Sequence, residues 1–266
     1  NNDTADSYNV AVGAKAGTAV TTGTYNNIIG GLAGDALTTG GFNVAMGYAA
    51  LGTEDTGSRN VAIGHSALTA LNYDGAGYNI AIGYDAGKAV TTGVQNTILG
   101  GEAGDALTTS SYNTALGYRA LTSEDTDGSN TAIGYKALAV QDGGSLNTAV
   151  GHQAGDAITD GDNNTLVGGG AGGAITTGTN NICVGQASGL VLTTGNNNVA
   201  IGYEALRDNS TTSQNVAIGM TGSFPGANIA VLAACESMGI NTVIISSVGS
   251  SSWGANRENM SWPEIE

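Results

Sequence analysis

Five residues, Asn60-Val61-Ala62-Ile63-Gly64, return unchanged as Asn198-Val199-Ala200-Ile201-Gly202 and as Asn215-Val216-Ala217-Ile218-Gly219. Looser copies begin at Asn9, Asn26, Asn43, Asn79, Asn96, Asn113, Asn130, Asn147, Asn164 and Asn181, making thirteen in all. Eleven of the twelve steps between them are 17 residues, and the step from Asn60 to Asn79 is 19. A fixed short period kept over most of a chain leaves few folds open. Each unit is too small to bury a core alone, so neighbours must stack. The expectation is a solenoid with one coil of chain per repeat, about 58 Å long at about 4.8 Å per coil.

Numbering each repeat from its Asn exposes what the positions need. Position four is a large aliphatic in every copy and position five is always Gly. Position eight is Ala except at Ser188 and Gly222, and position fifteen is usually Gly, as at Gly23, Gly93, Gly178 and Gly195. Between these glycines lie two short runs, N-x-A-I and positions nine to twelve, which read as two strands joined by tight turns. A helix fits poorly, because a Gly every few residues costs about 1 kcal/mol each. The thirteen Asn residues are expected to stack as a hydrogen-bonded ladder. The Gly at position five is expected to take a backbone angle closed to other residues. The two-residue insertion before Asn79 should bulge as a loop without breaking the stack.

Position three is Ala in nine copies but large at Ile28, Ile98 and Leu166, and these copies carry Gly31, Gly101 and Gly169 at position six. Elsewhere position six is usually bulky, as at Tyr48, His65, Tyr84, Tyr118, Tyr135, His152, Tyr203 and Met220. Volume traded between positions is the signature of close packing, so positions three and six are expected to share a wall or to lie against the same neighbour.

The composition suits a thin core: 44 Gly, 2 Phe, and an apolar fraction of 41%. The net charge of −15, from 7 basic and 22 acidic residues, removes the basic footprint that nucleic acid requires. It reads as a solubility device. No run of 18 apolar residues is present to span a membrane. Cys183 stands at position three in place of Ala and reads as a small buried thiol, and no C-x-x-C or His/Cys cluster suggests zinc.

The string N-V-A-I-G followed by x-x-A resembles the head repeats of trimeric autotransporter adhesins. Asn113-Thr114-Ala115-Leu116-Gly117-Tyr118-Arg119-Ala120-Leu121, and Asn130 to Leu138, are similar to repeat regions of bacteriophage tail fibres. The resemblance implies an all-β, left-handed parallel β-roll, three chains side by side, and host attachment outside the cell. The setting would be a virion tail fibre or, alternatively, a bacterial outer surface. The implied partners are two further copies of the chain and a host surface receptor, glycan or protein. A physical argument stands beside the trimer. If the Ala row at position three faces inward, position four faces out. That row is Val12, Ile29, Met46, Ile63, Ile82, Leu99, Leu116, Ile133, Val150, Val167, Val184, Ile201 and Ile218. Aligned along the solenoid, it makes an apolar stripe that wants a partner.

Other chemistry is weak in this sequence. The run from Gly168 to Gly173 lacks the Lys-Ser/Thr ending of a phosphate loop. His65 and His152 share position six and have no second ligand type beside them, so they read as packing groups. Asp35, Asp105 and Asp156 share position ten, yet the calcium-binding G-G-x-G-x-D pattern is missing. Glu54-Asp55 recurs as Glu124-Asp125 within a duplicated block of four coils, Tyr8 to Gly77 matching Tyr78 to Leu146, which argues against a catalytic pair. No catalytic, cofactor or metal residue is assigned, and no enzyme activity is expected. The alternative to an attachment fibre is an ice-binding solenoid, suggested by Thr21-Thr22, Thr38-Thr39, Thr91-Thr92, Thr176-Thr177 and Thr193-Thr194. These pairs are interrupted by Asp55, Asn72, Asp125, Asp142 and Asp160.

The expected layout is a lead-in over 1–8, the array over 9–222, and a cap or junction over 223–266. Within the last segment, Ala227 to Met238 reads as a short apolar helix and Asn241 to Val248 as a strand. Trp253 and Trp262 follow, and Ser261-Trp262-Pro263-Glu264 carries helix-start signals. A solenoid end needs covering, because open strand edges invite pairing with other chains.

Overall fold

The computed structural model describes residues 7–123, 128–208, 211–220 and 243–245. Thirteen strands of three residues, from β1 (Val10–Val12) through β7 (Thr114–Leu116) to β13 (Val216–Ile218), occupy positions two to four of the thirteen repeats. They form one parallel sheet in strict sequence order, each strand paired with the equivalent residues one repeat away, as in Ala115↔Ala132. The chain is therefore a parallel β-solenoid with one coil per repeat. A fourteenth strand, β14 (Val243–Ile245), pairs in parallel with β13 and lies inside the strand expected after the array. The expected helix at 227–238, both tryptophans and the 261–264 motif lie outside the described residues.

The second expected strand does not form. Positions nine to twelve are turns, bends or irregular backbone, and among the described residues no helix occurs either. Each coil has one straight side and is otherwise a chain of corners. These corners sit at fixed places. Among the described residues, twenty-nine non-glycine residues have positive φ, and all stand at position seven, at position nine, or at the place just before a repeat's Asn, which is position seventeen in a 17-residue coil. A left-handed residue costs about 1–3 kcal/mol unless its surroundings hold it there. Here the holding is a hydrogen bond to a neighbouring coil. Leu32 N–H donates to Ala14 C=O, Leu51 N–H to Ala67 C=O, and Tyr25 N–H to Ser7 C=O.

Position five shows why only Gly is used. Gly117 has φ +136°, and a Cβ there would stand 2.5 Å from the Gly134 carbonyl oxygen. Both the backbone angle and the close stacking of coils exclude a side chain.

The core is the interior of the roll. Its buried apolar residues come from positions three, eight, nine and twelve, as in Ala62, Ala67, Leu68 and Leu71. The expected shared wall of positions three and six is not found. Position three is buried in every coil but the first, where Ala11 is exposed, while Tyr48 and Tyr84 at position six are 53% and 57% exposed. The residue that answers position three is across the interior at position nine. A Cβ on Gly87 or Gly104 would meet the Ile98 side chain at 2.9 and 3.3 Å. Ile28 stands in the same way over Gly17 and Gly34, and Leu166 over Gly155 and Gly172. Leu occurs at position nine only where position three is Ala in its own coil and in the next, as for Leu51, Leu68, Leu121, Leu138 and Leu206. The volume trade is real, but its partner lies six residues on.

The insertion is absorbed as expected. Ala62 still pairs with Ala81 despite the 19-residue step. The extra residues fold into a turn in which Gly75 N–H donates to Tyr73 C=O and Thr56 Oγ1 donates to Asp74 Oδ1.

Candidate functional site: the outer strand face

Alternation along each strand sorts the predicted residues into an inside row and an outside row. The Asn row is inside. Asn26, Asn43, Asn60, Asn79, Asn96, Asn113, Asn130, Asn147, Asn164, Asn181 and Asn198 are buried, while the terminal Asn9 and Asn215 are half-buried. In every one of the twelve steps the Oδ1 of one Asn accepts the backbone N–H of the next, at 2.8–3.1 Å. The amide nitrogen usually turns within its own coil and donates to the carbonyl of position fifteen, as in Asn26 to Gly40 and Asn147 to Gly161. Direct Asn-to-Asn side-chain bonds join Asn164 to Asn147, Asn181 to Asn164 and Asn198 to Asn181. The ladder thus closes each coil and ties it to the next.

Position four is outside. Val12 is 58% exposed and Ile218 48%; Ile29, Met46, Leu99, Leu116, Val167 and Ile201 are exposed, and Ile63, Ile82, Ile133, Val150 and Val184 are half-buried. Position two runs parallel to it, with Val10, Ile80 and Ile182 also exposed. Position four by itself is therefore an unbroken apolar strip, beside a mixed position-two row that carries Asn27, Thr97, Thr114, Thr131, Thr148 and Thr165.

Aromatic columns flank this strip on both edges, and sequence reasoning missed them as columns. On the position-seventeen edge Tyr8, Tyr25 and Phe42 stack with ring centroids 5.1 and 4.9 Å apart. Arg59 continues the column between Phe42 and Tyr78, its guanidinium 5.5 and 5.7 Å from the two rings. On the position-six edge His65 lies between Tyr48 and Tyr84 at 5.3 and 5.2 Å. The triplet recurs as Tyr118, Tyr135 and His152, at 5.9 and 5.0 Å. Both histidines are packing groups in these columns, with Ser66 Oγ 3.0 Å from His65 Nδ1 and Asp85 Oδ1 3.6 Å away. The usable signal in the sequence was the return of an aromatic at a fixed position in successive repeats.

The other candidate groups are scattered. Asp35, Asp105 and Asp156 are half-buried on separate coils, and among the described residues no three His, Cys, Asp or Glu side chains gather as a metal site. Burial raises the Asp105 carboxyl above the ordinary value, and nearby Glu102 adds to the effect. Asp156 is raised by burial alone, against hydrogen bonds that lower it. Glu54 occupies position twelve, where other coils carry Leu37 or Leu71, and is fully buried. Its carboxylate accepts Gly57 N–H at 2.6 Å and Tyr73 N–H at 3.2 Å, yet desolvation still raises its pKa. Burial pushes the Cys183 thiol up to about 12, so it is a filler and not a nucleophile.

The threonines of position thirteen are turned into the stack. Thr21, Thr38, Thr91, Thr159 and Thr176 each donate their hydroxyl to a carbonyl of the next coil. Among the described residues no helix is long and apolar enough to cross a membrane. Comparison with family models, with curated proteins and with solved structures gives no match, so the strip, its aromatic columns and the buried Asn ladder are read on their own physical chemistry.

Proposed function

We propose that this solenoid is a segment of an extracellular attachment fibre, working as a side-by-side homotrimer. It would form the shaft or head of a phage tail fibre or, alternatively, of a bacterial surface adhesin that meets a host receptor. The observation that carries the reading is the outward position-four row. Thirteen large aliphatics over about 58 Å present on the order of 500 Å² of apolar surface, at the upper end of what a soluble monomer exposes. Three equivalent chains around an axis cover such a row with one repeated contact. The stacked coils, closed by the Asn ladder, supply stiffness along the fibre. The recognisable repeat strings support the same reading.

The test is the triple variant Ile63→Asp, Ile133→Asp and Ile201→Asp, followed by mass measurement in solution. The wild-type chain is expected at three times its monomer mass, and the variant as a folded monomer. A wild-type monomer, or a variant that stays trimeric, overturns the assignment. The ice-binding alternative is weakened by the position-thirteen hydroxyls, which are committed to neighbouring carbonyls, and a thermal-hysteresis assay is expected to be negative.

A further inference from the structure

The position-seventeen column is interrupted at Gln95, which fills its place with a long polar side chain, and again at Ser129, which does not. Tyr112 stands one coil before it and Leu146 one coil after, and both are prominent, at 59% and 57% exposed. An open groove of about 400 Å³ lies there, lined by Tyr112, Ser129 and Leu146 with Gly128, Ser111 and Ser145. Tyr112 and Ser129 share the left-handed backbone of Tyr25 and Phe42, with φ of 64° for each against 58° and 60°, so their side chains leave the coil in the same direction. Two coil steps separate Tyr112 from Leu146, about 9.6 Å. Where the column is complete, its rings sit 4.9–5.1 Å apart. The gap is the room of one missing ring.

We infer that this gap is a binding slot for one neutral pyranose ring of a glycan, inserted between Tyr112 and Leu146 above Ser129. Such a ring has an apolar C–H face, which suits an aromatic wall on one side and an aliphatic wall on the other. Its hydroxyl edge needs donors and acceptors, and the rim supplies hydroxyls. Ser111 Oγ accepts Val94 N–H at 3.0 Å, leaving its proton directed by a weak 3.5 Å contact to Thr109 C=O. Ser145 N–H and Oγ both donate to Asp162 Oδ1, at 2.8 and 3.1 Å, which leaves the Ser145 oxygen as an acceptor. The net charge of −15 disfavours an anionic sugar. The complete parts of the column cannot serve, because their ring faces cover one another. Assigning the ring to a host receptor rests on the attachment reading; the slot itself does not.

The experiment is saturation-transfer NMR on the full chain with four probes: the methyl glycosides of glucose, galactose and mannose, and N-acetylglucosamine. At least one is expected to take up saturation from the protein. Ser129→Tyr should abolish the signal by filling the gap with the chain's own ring, and Tyr112→Ala should abolish it by removing a wall. Tyr at this backbone angle is already used at Tyr8, Tyr25 and Tyr78, with φ of 51–58°, so Ser129→Tyr is expected to fold. No transfer to any probe, or transfer that persists in either variant, overturns the slot. Binding of p-cresol without any sugar overturns the sugar assignment. A monomer in the mass measurement would sink the trimer and leave this result standing.

Discussion

The Cδ1 of Ile98 lies 2.9 Å from where a Cβ on Gly87 would stand, one coil earlier. That contact is one instance of a rule along the whole interior: a large residue at position three requires Gly at position nine in its own coil and in the coil before.

The rule can be broken and repaired. Ala81→Ile adds volume opposite Leu68, which is fully buried in the preceding coil, while its own coil already has Gly87. Alone it should destabilise by about 1–3 kcal/mol through overpacking. Leu68→Gly alone should lose about 2–5 kcal/mol through the cavity it leaves. Together they should recover at least about 1 kcal/mol relative to the sum, measured as a double-mutant cycle in chemical denaturation. Strict additivity would show that the two positions do not meet.

The Asn ladder should be strongly intolerant. Asn147 Oδ1 accepts Asn164 N–H at 2.9 Å, and its amide donates to Gly161 C=O at 2.6 Å. Asn147→Ala strands a buried donor and a buried acceptor, each worth about 1–3 kcal/mol. A loss of about 2–5 kcal/mol is expected by denaturant titration. A variant within 1 kcal/mol of wild type would mean that water replaces the amide at about that expense.

Glu54 sets a pH dependence of defined sign. Its folded-state pKa is raised from the ordinary 4.5, so the folded chain holds its proton more tightly than the unfolded chain. Its contribution to stability is fully present below the unfolded value and is lost as pH rises through the folded value. Relative to Glu54→Leu, wild type should therefore lose stability as pH climbs above 4.5, levelling once the group is ionised in both states. Thermal melts of both chains across that range, compared by difference, cancel the other carboxylates. Wild type gaining stability relative to Glu54→Leu as pH rises would reverse the assignment.

Chelation should leave the melt unchanged. The half-buried Asp35, Asp105 and Asp156 belong to no group of three or more ligand side chains among the described residues, and the coils are joined by backbone hydrogen bonds. A large fall in melting temperature on adding EDTA would return these aspartates to consideration.

The period, the parallel stacking, the Asn ladder and the outward aliphatic row were all legible in the sequence. Each depends only on which residue type recurs at a fixed spacing, and stacking converts a repeated residue into a column. Three features were decided by the tertiary structure. Residues such as Leu51 and Tyr25 take left-handed backbone angles that nothing in their side chains favours, because hydrogen bonds to adjacent coils hold the corners. The single strand replaced two for the same reason: positions nine to twelve spend their backbone groups on those corners. The partner of Ile98 proved to be Gly87 and Gly104 and not Gly101, since spacing along a chain says nothing of where the chain turns. A repeat in sequence fixes what stacks upon what. Only the closed coil determines which of its positions face each other across the interior.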